Sequence, residues 1–237
     1  MTRYVHLTPR LVTALHMLEG YDTIADIGCD HGRLAAALLQ QNACRCVVAT
    51  DISELSLEKA RRLISLIGKT DSVSFRVGDG LHAVRNHECD AVAILGMGGT
   101  LMTRILDACE LPIAGAKCVV LQPMRAQDDI RAYLYQNSYH ICEDRIVLEH
   151  GRYYQIIHAE PGSCRDPIPD GFPTSFFDVG YRSFADRDPL LPALCEQQLH
   201  AHQRTLLSAS GTNGESVLTD KIRALTTILS LIKESNE

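Results

Sequence analysis

Asp26-Ile27-Gly28-Cys29-Asp30-His31-Gly32 is the stretch that decides the fold of this 237-residue chain. It ends a short apolar run that begins at Thr23, and a helical pattern follows it from Arg33 to Gln41. A strand, an acidic turn with glycines and a helix are together typical of the first unit of a parallel α/β sheet. The stretch lacks the third glycine of a G-x-G-x-x-G motif, which disfavours a nicotinamide-dependent oxidoreductase.

The same alternation of strands and helices continues on both sides of this stretch. Strands are predicted at Thr23–Ile27, Cys46–Thr50, Val73–Val77, Ala91–Leu95, Cys118–Leu121, Tyr139–Leu148 and Tyr154–Ala159. Helices are predicted from Pro9 and at Arg33–Gln41, Ser53–Ile67, Thr100–Cys109 and Gln127–Asn137. The last two strands leave no room for a helix between them and should form an antiparallel hairpin. An α/β fold with a seven-stranded, Rossmann-like sheet of the class I methyltransferase type is therefore expected.

The composition changes after Glu160. Six of the nine prolines lie within Pro161–Pro192, which predicts an irregular connector. Two helical patterns with apolar spacings of three and four follow it. We expect residues 1–160 to form the sheet domain and residues 161–237 to form the Pro-rich connector and a coiled-coil-like, antiparallel helical hairpin. This hairpin either packs on the core, makes a subunit contact or grips a large substrate.

Composition restricts the class of protein. The chain is 46% hydrophobic and 22% charged, which is typical of a globular protein. Its net charge of −6 disfavours a simple nucleic-acid coat protein but leaves open an enzyme with a local basic patch. No signal peptide and no apolar run of about 18 residues is evident, so we expect a cytoplasmic protein with no membrane partner. Nine scattered cysteines without a C-x-x-C pair are interpreted as reduced packing residues and not as metal ligands.

Four predicted strands are each followed by a turn that carries acidic or glycine residues. These turns contain Asp26 and Gly28, then Asp51, then Gly78-Asp79-Gly80, and then Gly96-Met97-Gly98-Gly99. The carboxyl ends of parallel strands share one edge of a sheet, where ligands of such folds bind. Asp51 could accept hydrogen bonds from both hydroxyl groups of a ribose, and Asp79 could accept one from the amine of an adenine. Because no Walker phosphate loop is present, S-adenosylmethionine (SAM) is the nucleoside ligand that fits best.

Several segments carry a resemblance to a known family. They are Leu7–Leu11, Asp26–His31, Gly78–Gly80, Gly96–Leu101, Leu121–Pro123 and Tyr154–Ile157. Together they resemble the bacterial TrmK family, the tRNA (adenine-22-N1)-methyltransferases, over essentially the whole chain. The resemblance implies SAM as cofactor, tRNA as partner, and Asp30 and His31 facing the methyl donor. The chain departs from the family at two points. A proline that is common shortly after the Asp-His pair is missing here. Met124 stands where the family often has Asn, which affects the expected target-base contacts.

Candidate roles follow for individual residues. Methylated adenine is a cation, so Asp30 is the predicted catalytic residue, whereas the alternative is that Asp30 only caps the next helix. The predicted cofactor-binding residues are Asp26, Gly28, Cys29, His31, Asp51, Ile52, Gly78, Asp79, Gly80, Gly96, Met97 and Gly98. The predicted substrate-binding residues are Arg10, Arg33 and Gln122, and no metal is expected. Further candidate cations for RNA are Arg61, Arg62, Lys69, Arg104, Arg125, Arg131 and Arg152.

The sequence specifies the methyl acceptor less closely than the cofactor. Neither an Asn/Asp-Pro-Pro-aromatic tetrad for amine methylation nor a Pro-Cys turn for carbon methylation is found, which favours a ring nitrogen. A methyltransferase of a small molecule or a protein stays open, as does a SAM-binding module without catalysis. The tRNA species and the oligomeric state, a monomer or a weak dimer, also stay open.

Overall fold

A computed structural model describes residues 5–108, 115–162, 173, 177–208 and 214–234. The strands are β1 (Thr23–Ile27), β2 (Cys46–Asp51), β3 (Val73–Val77), β4 (Ala91–Met97), β5 (Cys118–Pro123), β6 (Tyr139–Glu149) and β7 (Arg152–Pro161). The helices are α1 (Pro9–Met17), α2 (Arg33–Gln40), α3 (Glu54–Leu66), α4 (Gly99–Asp107), α5 (Gln127–Gln136), α6 (Tyr181–Ala185), α7 (Leu191–Ser208) and α8 (Gly214–Glu234).

All seven strands form one sheet in the order β3-β2-β1-β4-β5-β7-β6. Strands β1 to β5 are parallel, and β7 lies antiparallel between β5 and β6. The β6–β7 turn consists of His150 and Gly151, both with positive φ, as a two-residue turn between twisted strands requires. The predicted class I methyltransferase sheet and its closing hairpin are therefore confirmed.

Helices cover both faces of the central strands. One face packs Ile27, Ile94 and Leu121 against α4 and α5, and the other packs Ile24 and Val120 against α1 and α2. Strands that are buried on both sides read as continuous apolar runs, which is why they were predictable. With both faces covered, the carboxyl-end edge of the sheet is where a ligand can approach.

The C-terminal helices pack on the edge of the sheet. Helices α7 and α8 bury Leu194, Leu225 and Ile228 in a cluster that also contains Ile146 of β6. Residues 209–213 between these two helices, and residues 163–172 and 174–176 of the connector, lie outside the described residues. The described part of the connector contains one short helix, α6, and buries Val179 completely, so this part packs against the rest of the fold. The boundary at residue 160 stays a prediction.

Arg131 corrects a second expectation. Its side chain is completely buried, and its Nε donates to Asp144 Oδ2 at 2.7 Å. Its Nη1 donates to the carbonyl oxygen of Phe177 at 2.7 Å, and its Nη2 contacts Gln155. The prediction that Arg131 could hold RNA is therefore wrong, because the guanidinium links α5 and the β6–β7 hairpin to the C-terminal region.

Candidate active site

A cleft of about 740 Å³ opens at the carboxyl ends of the parallel strands. With the exception of Gly98, every residue predicted for the catalytic, cofactor or substrate site lines it. Gly98 precedes α4 and faces the side chain of Arg125 instead. The lining residues that were not among those candidates are Thr8, Leu11, Ile27, Leu34, Leu95, Leu101, Ile105 and Met124. Most of these are apolar residues that tertiary packing brings to the cleft. The sequence pointed to some of them, such as Thr8, Leu11 and Leu101, only because they lie in the segments that carry the family resemblance.

In the turn after β1, Gly28 lies close to the side chain of Met97, and the carboxyl group of Asp26 is buried. Gly28 has a φ of 68°, and a Cβ there would overlap the terminal methyl group of Met97. Asp26 is buried, and its Oδ2 has no partner among the described residues. Burial raises the pKa of Asp26 to about 7, although a hydrogen bond from the Ala35 backbone opposes the rise. An unpartnered buried carboxylate oxygen beside the cleft suits a cationic ligand group.

The Asp51 carboxylate is fixed in place by backbone groups. Its Oδ2 accepts from the Asp30 backbone N–H at 3.0 Å, and its Oδ1 accepts from the Ser53 N–H at 2.8 Å. Ser53 in turn caps α3, because its hydroxyl oxygen accepts from the Ser56 N–H at 3.3 Å. Each carboxylate oxygen retains acceptor capacity, so Asp51 can still receive two ribose hydroxyl groups.

Asp30 presents an open carboxylate at the mouth of the cleft. Its φ is 49°, its side chain is 73% exposed, and its Oδ1 lies 3.5 Å from His31 Nε2. The same His31 nitrogen lies 3.1 Å from Lys59 Nζ. Helix α2 begins at Arg33, so its N-cap residue is Gly32, which has a φ of 67° and no side chain to cap the helix. The alternative that Asp30 is the cap of this helix is therefore wrong.

The turns after β4 and β5 form one wall of the cleft. The Met124 backbone N–H donates to the Met97 carbonyl at 2.7 Å, and the Gly99 N–H donates to the Arg125 carbonyl at 2.8 Å. A Cβ on Gly99 would overlap the carbonyl oxygen of Ala126. The two glycines after Met97 thus let two loops meet that a side chain would separate.

Helix α1 supplies a polar part of the cleft lining next to the end of β5. Arg10 Nη1 donates to Gln122 Oε1 at 3.3 Å, and Gln122 Nε2 donates to the Pro123 carbonyl at 3.2 Å. The amide of Gln122 is therefore occupied by protein partners, and only 1% of the residue is exposed. Thr8 Oγ1 is buried without a partner among the described residues. This hydroxyl precedes α1 without capping it.

Unpaired cations lie near the cleft in spite of the negative net charge. Arg33 lines the cleft and Arg125 borders it, and neither has an acidic partner in the described part of the chain. In contrast, Arg61 and Arg62 of α3 pair with Glu54 and Glu58 on their own helix. The candidate cations therefore divide into those that are already compensated and those that are available to a phosphate.

The described cysteines are free thiols, four of them buried. Burial raises the pKa of Cys89 to about 11 and the pKa of Cys118 to about 12, which keeps both thiols protonated and unreactive at neutral pH. Among the described residues no group of three or more His, Cys, Asp or Glu side chains could hold a metal ion. No described helix is both long and apolar enough to cross a membrane.

Comparisons with known proteins agree with this geometry. A methyltransferase-domain family model matches residues 7–157. The chain is 32% identical over 169 residues to the tRNA (adenine(22)-N(1))-methyltransferase of Bacillus subtilis, covering 71% of each chain. The crystal structure of the B. subtilis m1A22 tRNA methyltransferase TrmK superposes with a TM-score of 0.80 at 27% identity, covering 97% of this chain and 98% of that one. The M. capricolum TrmK complex with S-adenosyl-homocysteine (SAH) has a TM-score of 0.83 at 21% identity, covering 95% and 99%.

Proposed function

Because the chain belongs to the TrmK family of tRNA (adenine-22-N1)-methyltransferases, we propose that it transfers a methyl group from SAM to N1 of adenine 22 in tRNA. The observation that carries this proposal is the open carboxylate of Asp30 at a cleft whose other walls fit a nucleoside. The reaction is expected in the cytoplasm, where an unmodified tRNA is available.

The residues of the cleft fit SAM as the cofactor. The unpartnered oxygen of Asp26 suits the cationic end of the molecule, and Gly28 leaves room for it beside Met97. Asp51 is oriented for the ribose hydroxyl groups, and Asp79 stands at the end of β3 where an adenine amine could be received. When bound, SAM supplies the methyl group as a sulfonium.

The chain's own contribution is alignment and charge stabilisation. Adenine N1 has a free lone pair at neutral pH, so attack on the methyl carbon needs no prior deprotonation by the protein. The methylated base becomes positively charged, and the Asp30 carboxylate stabilises that charge as it develops. Its backbone N–H is held by Asp51, so Asp30 is fixed relative to the ribose site while its carboxylate stays accessible. The apolar side chains of Leu101 and Met124 line the cleft, are both 43% exposed, and offer a surface on which the base can pack.

The target adenine has to leave the tRNA stack to enter the cleft, which costs a few kcal/mol. Phosphate contacts of the unpaired arginines Arg33 and Arg125 offset this cost. The negative net charge is compatible with this proposal, because several acidic side chains face the cofactor end of the cleft and the cations lie at its mouth.

The test uses the full chain, labelled SAM and unmodified tRNA transcripts. We expect one methyl group per tRNA, mapped to N1 of adenine 22, and no transfer to a transcript with guanine at position 22. A label on an exocyclic amine, or none with any tRNA, would contradict the proposal.

A further inference from the structure

Glu149 lies outside the cleft, at the end of β6, and yet contacts the helix that forms one wall of it. Its Oε2 accepts from the Arg10 backbone N–H at 3.2 Å, and its Oε1 lies 3.5 Å from Arg10 Nε. Only 6% of the Glu149 side chain is exposed, whereas 29% of the Arg10 side chain is. A buried carboxylate thus accepts a hydrogen bond from the backbone of Arg10 and forms an ion pair with its side chain, in which the buried Nε makes no hydrogen bond.

Two further contacts fix the direction of the same guanidinium. Arg10 Cζ lies 5.1 Å from the ring centre of Tyr154, which follows Glu149 across the hairpin turn. Its Nη1 donates to Gln122 Oε1 at 3.3 Å. Its Nη1 also lies 3.7 Å from Met124 Sδ. Arg10 therefore contacts β5, β6 and β7, and no contact of its Nη2 is present among the described residues. This nitrogen is available to a ligand, because Arg10 lines the cleft.

We infer that Glu149 and Tyr154 are positioning residues that hold Arg10 for a phosphate oxygen next to the target nucleotide of the tRNA. The inference rests on the proposed function and adds to it two residues outside the cleft. A guanidinium beside N1 of the adenine would be repelled by the positive charge that the ring gains during the reaction. An anionic phosphate oxygen is the acceptor that a fixed arginine edge receives best.

The positioning role can be tested with Glu149→Gln. The amide oxygen still accepts from the Arg10 backbone N–H, but the NH₂ group then faces the guanidinium, donor against donor. We expect kcat/KM for tRNA to fall at least tenfold, mostly through KM, while the affinity for SAH changes less than twofold. The slope of log KM for tRNA against log salt concentration should decrease by about 0.7 to 1, the loss of one phosphate contact.

A double variant decides whether Glu149 acts through Arg10. If it does, Arg10→Ala combined with Glu149→Gln loses no more kcat/KM than Arg10→Ala alone. Glu88→Gln is the matched control. Glu88 pairs with Arg76 at a distance of 2.5 Å, and neither residue lines the cleft, so this substitution should not alter the salt slope. Unchanged kinetics of Glu149→Gln, or losses that add fully in the double variant, would overturn the inference.

Tyr154 provides an independent test should Glu149→Gln fold poorly. Tyr154→Leu removes the ring beneath the guanidinium and should lower kcat/KM for tRNA three- to fivefold, and Tyr154→Phe, which keeps the ring, should restore it. Equal activity of the Leu and Phe variants would contradict the role of the ring. A wild-type chain that methylates no tRNA would instead refute the proposed function, so the two failures are distinguishable.

Discussion

Asp30 combines the catalytic position proposed for it with little structural role, so a substitution there tests the chemistry without disturbing the fold. Asn is nearly isosteric with Asp and tolerates the positive φ at this site. Because the carboxylate is mostly exposed, Asp30→Asn should leave the melting temperature unchanged. Loss of its charge should lower kcat about 100-fold with little change in SAH affinity.

Asp71→Asn is the control for this experiment, since Asp71 is an exposed acid in a short turn before β3. Its kcat should equal that of the wild type. An Asp30→Asn variant with wild-type kcat would show that the carboxylate does not stabilise the reaction.

Asp26 makes the stability of the ligand-free protein depend on pH. Burial raises its pKa from the ordinary 3.8 to about 7, so the folded state binds more protons than the unfolded state between these values. The contribution of Asp26 to stability is therefore largest below pH 4, falls as the pH rises, and levels off above 7. The contribution of Asp26 to the free energy of unfolding is about 4 kcal/mol smaller above pH 7 than below pH 4. Asp26→Asn should match the wild type near pH 4 and exceed its unfolding free energy at pH 8, measured by urea denaturation.

Asp22 gives the opposite sign and serves as the control. The Arg45 side chain lowers the pKa of Asp22 by hydrogen bonding, so its stabilisation is present at neutral pH and disappears in acid. Asp22→Asn should therefore be less stable than the wild type at pH 8 and equal to it at low pH. If both variants showed the same trend, the pH dependence would not arise from burial of Asp26.

At the scale of elements, the approach of α4 to the loop after β5 depends on Gly99. Alanine in an exposed helix is more favourable than glycine by about 1 kcal/mol, but here its Cβ would overlap the Ala126 carbonyl. We expect Gly99→Ala to cost about 1 to 3 kcal/mol and to raise KM for tRNA by displacing Met124 and Arg125. Thermal unfolding and steady-state kinetics measure these two effects.

Gly214 is the control for this substitution. It is the first residue of α8, as Gly99 is of α4, but Gly214 is exposed whereas Gly99 is buried. Gly214→Ala should therefore leave stability unchanged or raise it slightly. Equal stability of the two alanine variants would mean that the loop after β5 adapts to a side chain at Gly99.

The sequence predicted well which residues after β1, β2 and β3 line the cleft, because the signals for them are local. Asp26, Asp51 and Asp79 each follow a recognisable strand, and the parallel sheet brings them to one edge. The other wall depends on pairs that are remote in sequence, such as Arg10 with Glu149, and no local pattern encodes such a pair. For the same reason Arg131 looked like a surface cation, although Asp144 and the Phe177 carbonyl compensate its charge in the core.

At the scale of the whole molecule, ion pairs connect the C-terminal region to the sheet near the cleft. Lys221 of α8 donates to Asp128 of α5 at 2.8 Å and to Asp178 at 3.0 Å. Asp128 lies in the first turn of α5, four residues after Met124, which lines the cleft. Together with the buried Arg131, these contacts predict that the C-terminal helices and the sheet unfold as one unit.

Gly180 offers the sharpest test of this cooperativity. Its φ is 78°, and a Cβ there would overlap Asp144 Oδ2 and lie 2.8 Å from Arg131 Nε. Gly180→Ala should therefore disrupt a buried ion pair and cost about 3 to 5 kcal/mol. Gly162→Ala is the control, since Gly162 also has a positive φ but nothing lies within 4 Å of its Cβ position.

Hydrogen exchange locates where this destabilisation is felt. If sheet and C-terminal helices form one unit, Gly180→Ala speeds exchange through global unfolding equally in β1 and in α8, although β1 is remote from Gly180 in sequence. Gly162→Ala should show only the smaller cost of its backbone strain, about 1 to 2 kcal/mol. Faster exchange in α8 with unchanged protection in β1 would instead mean that the C-terminal region opens by itself, and Arg131 would then serve that region alone.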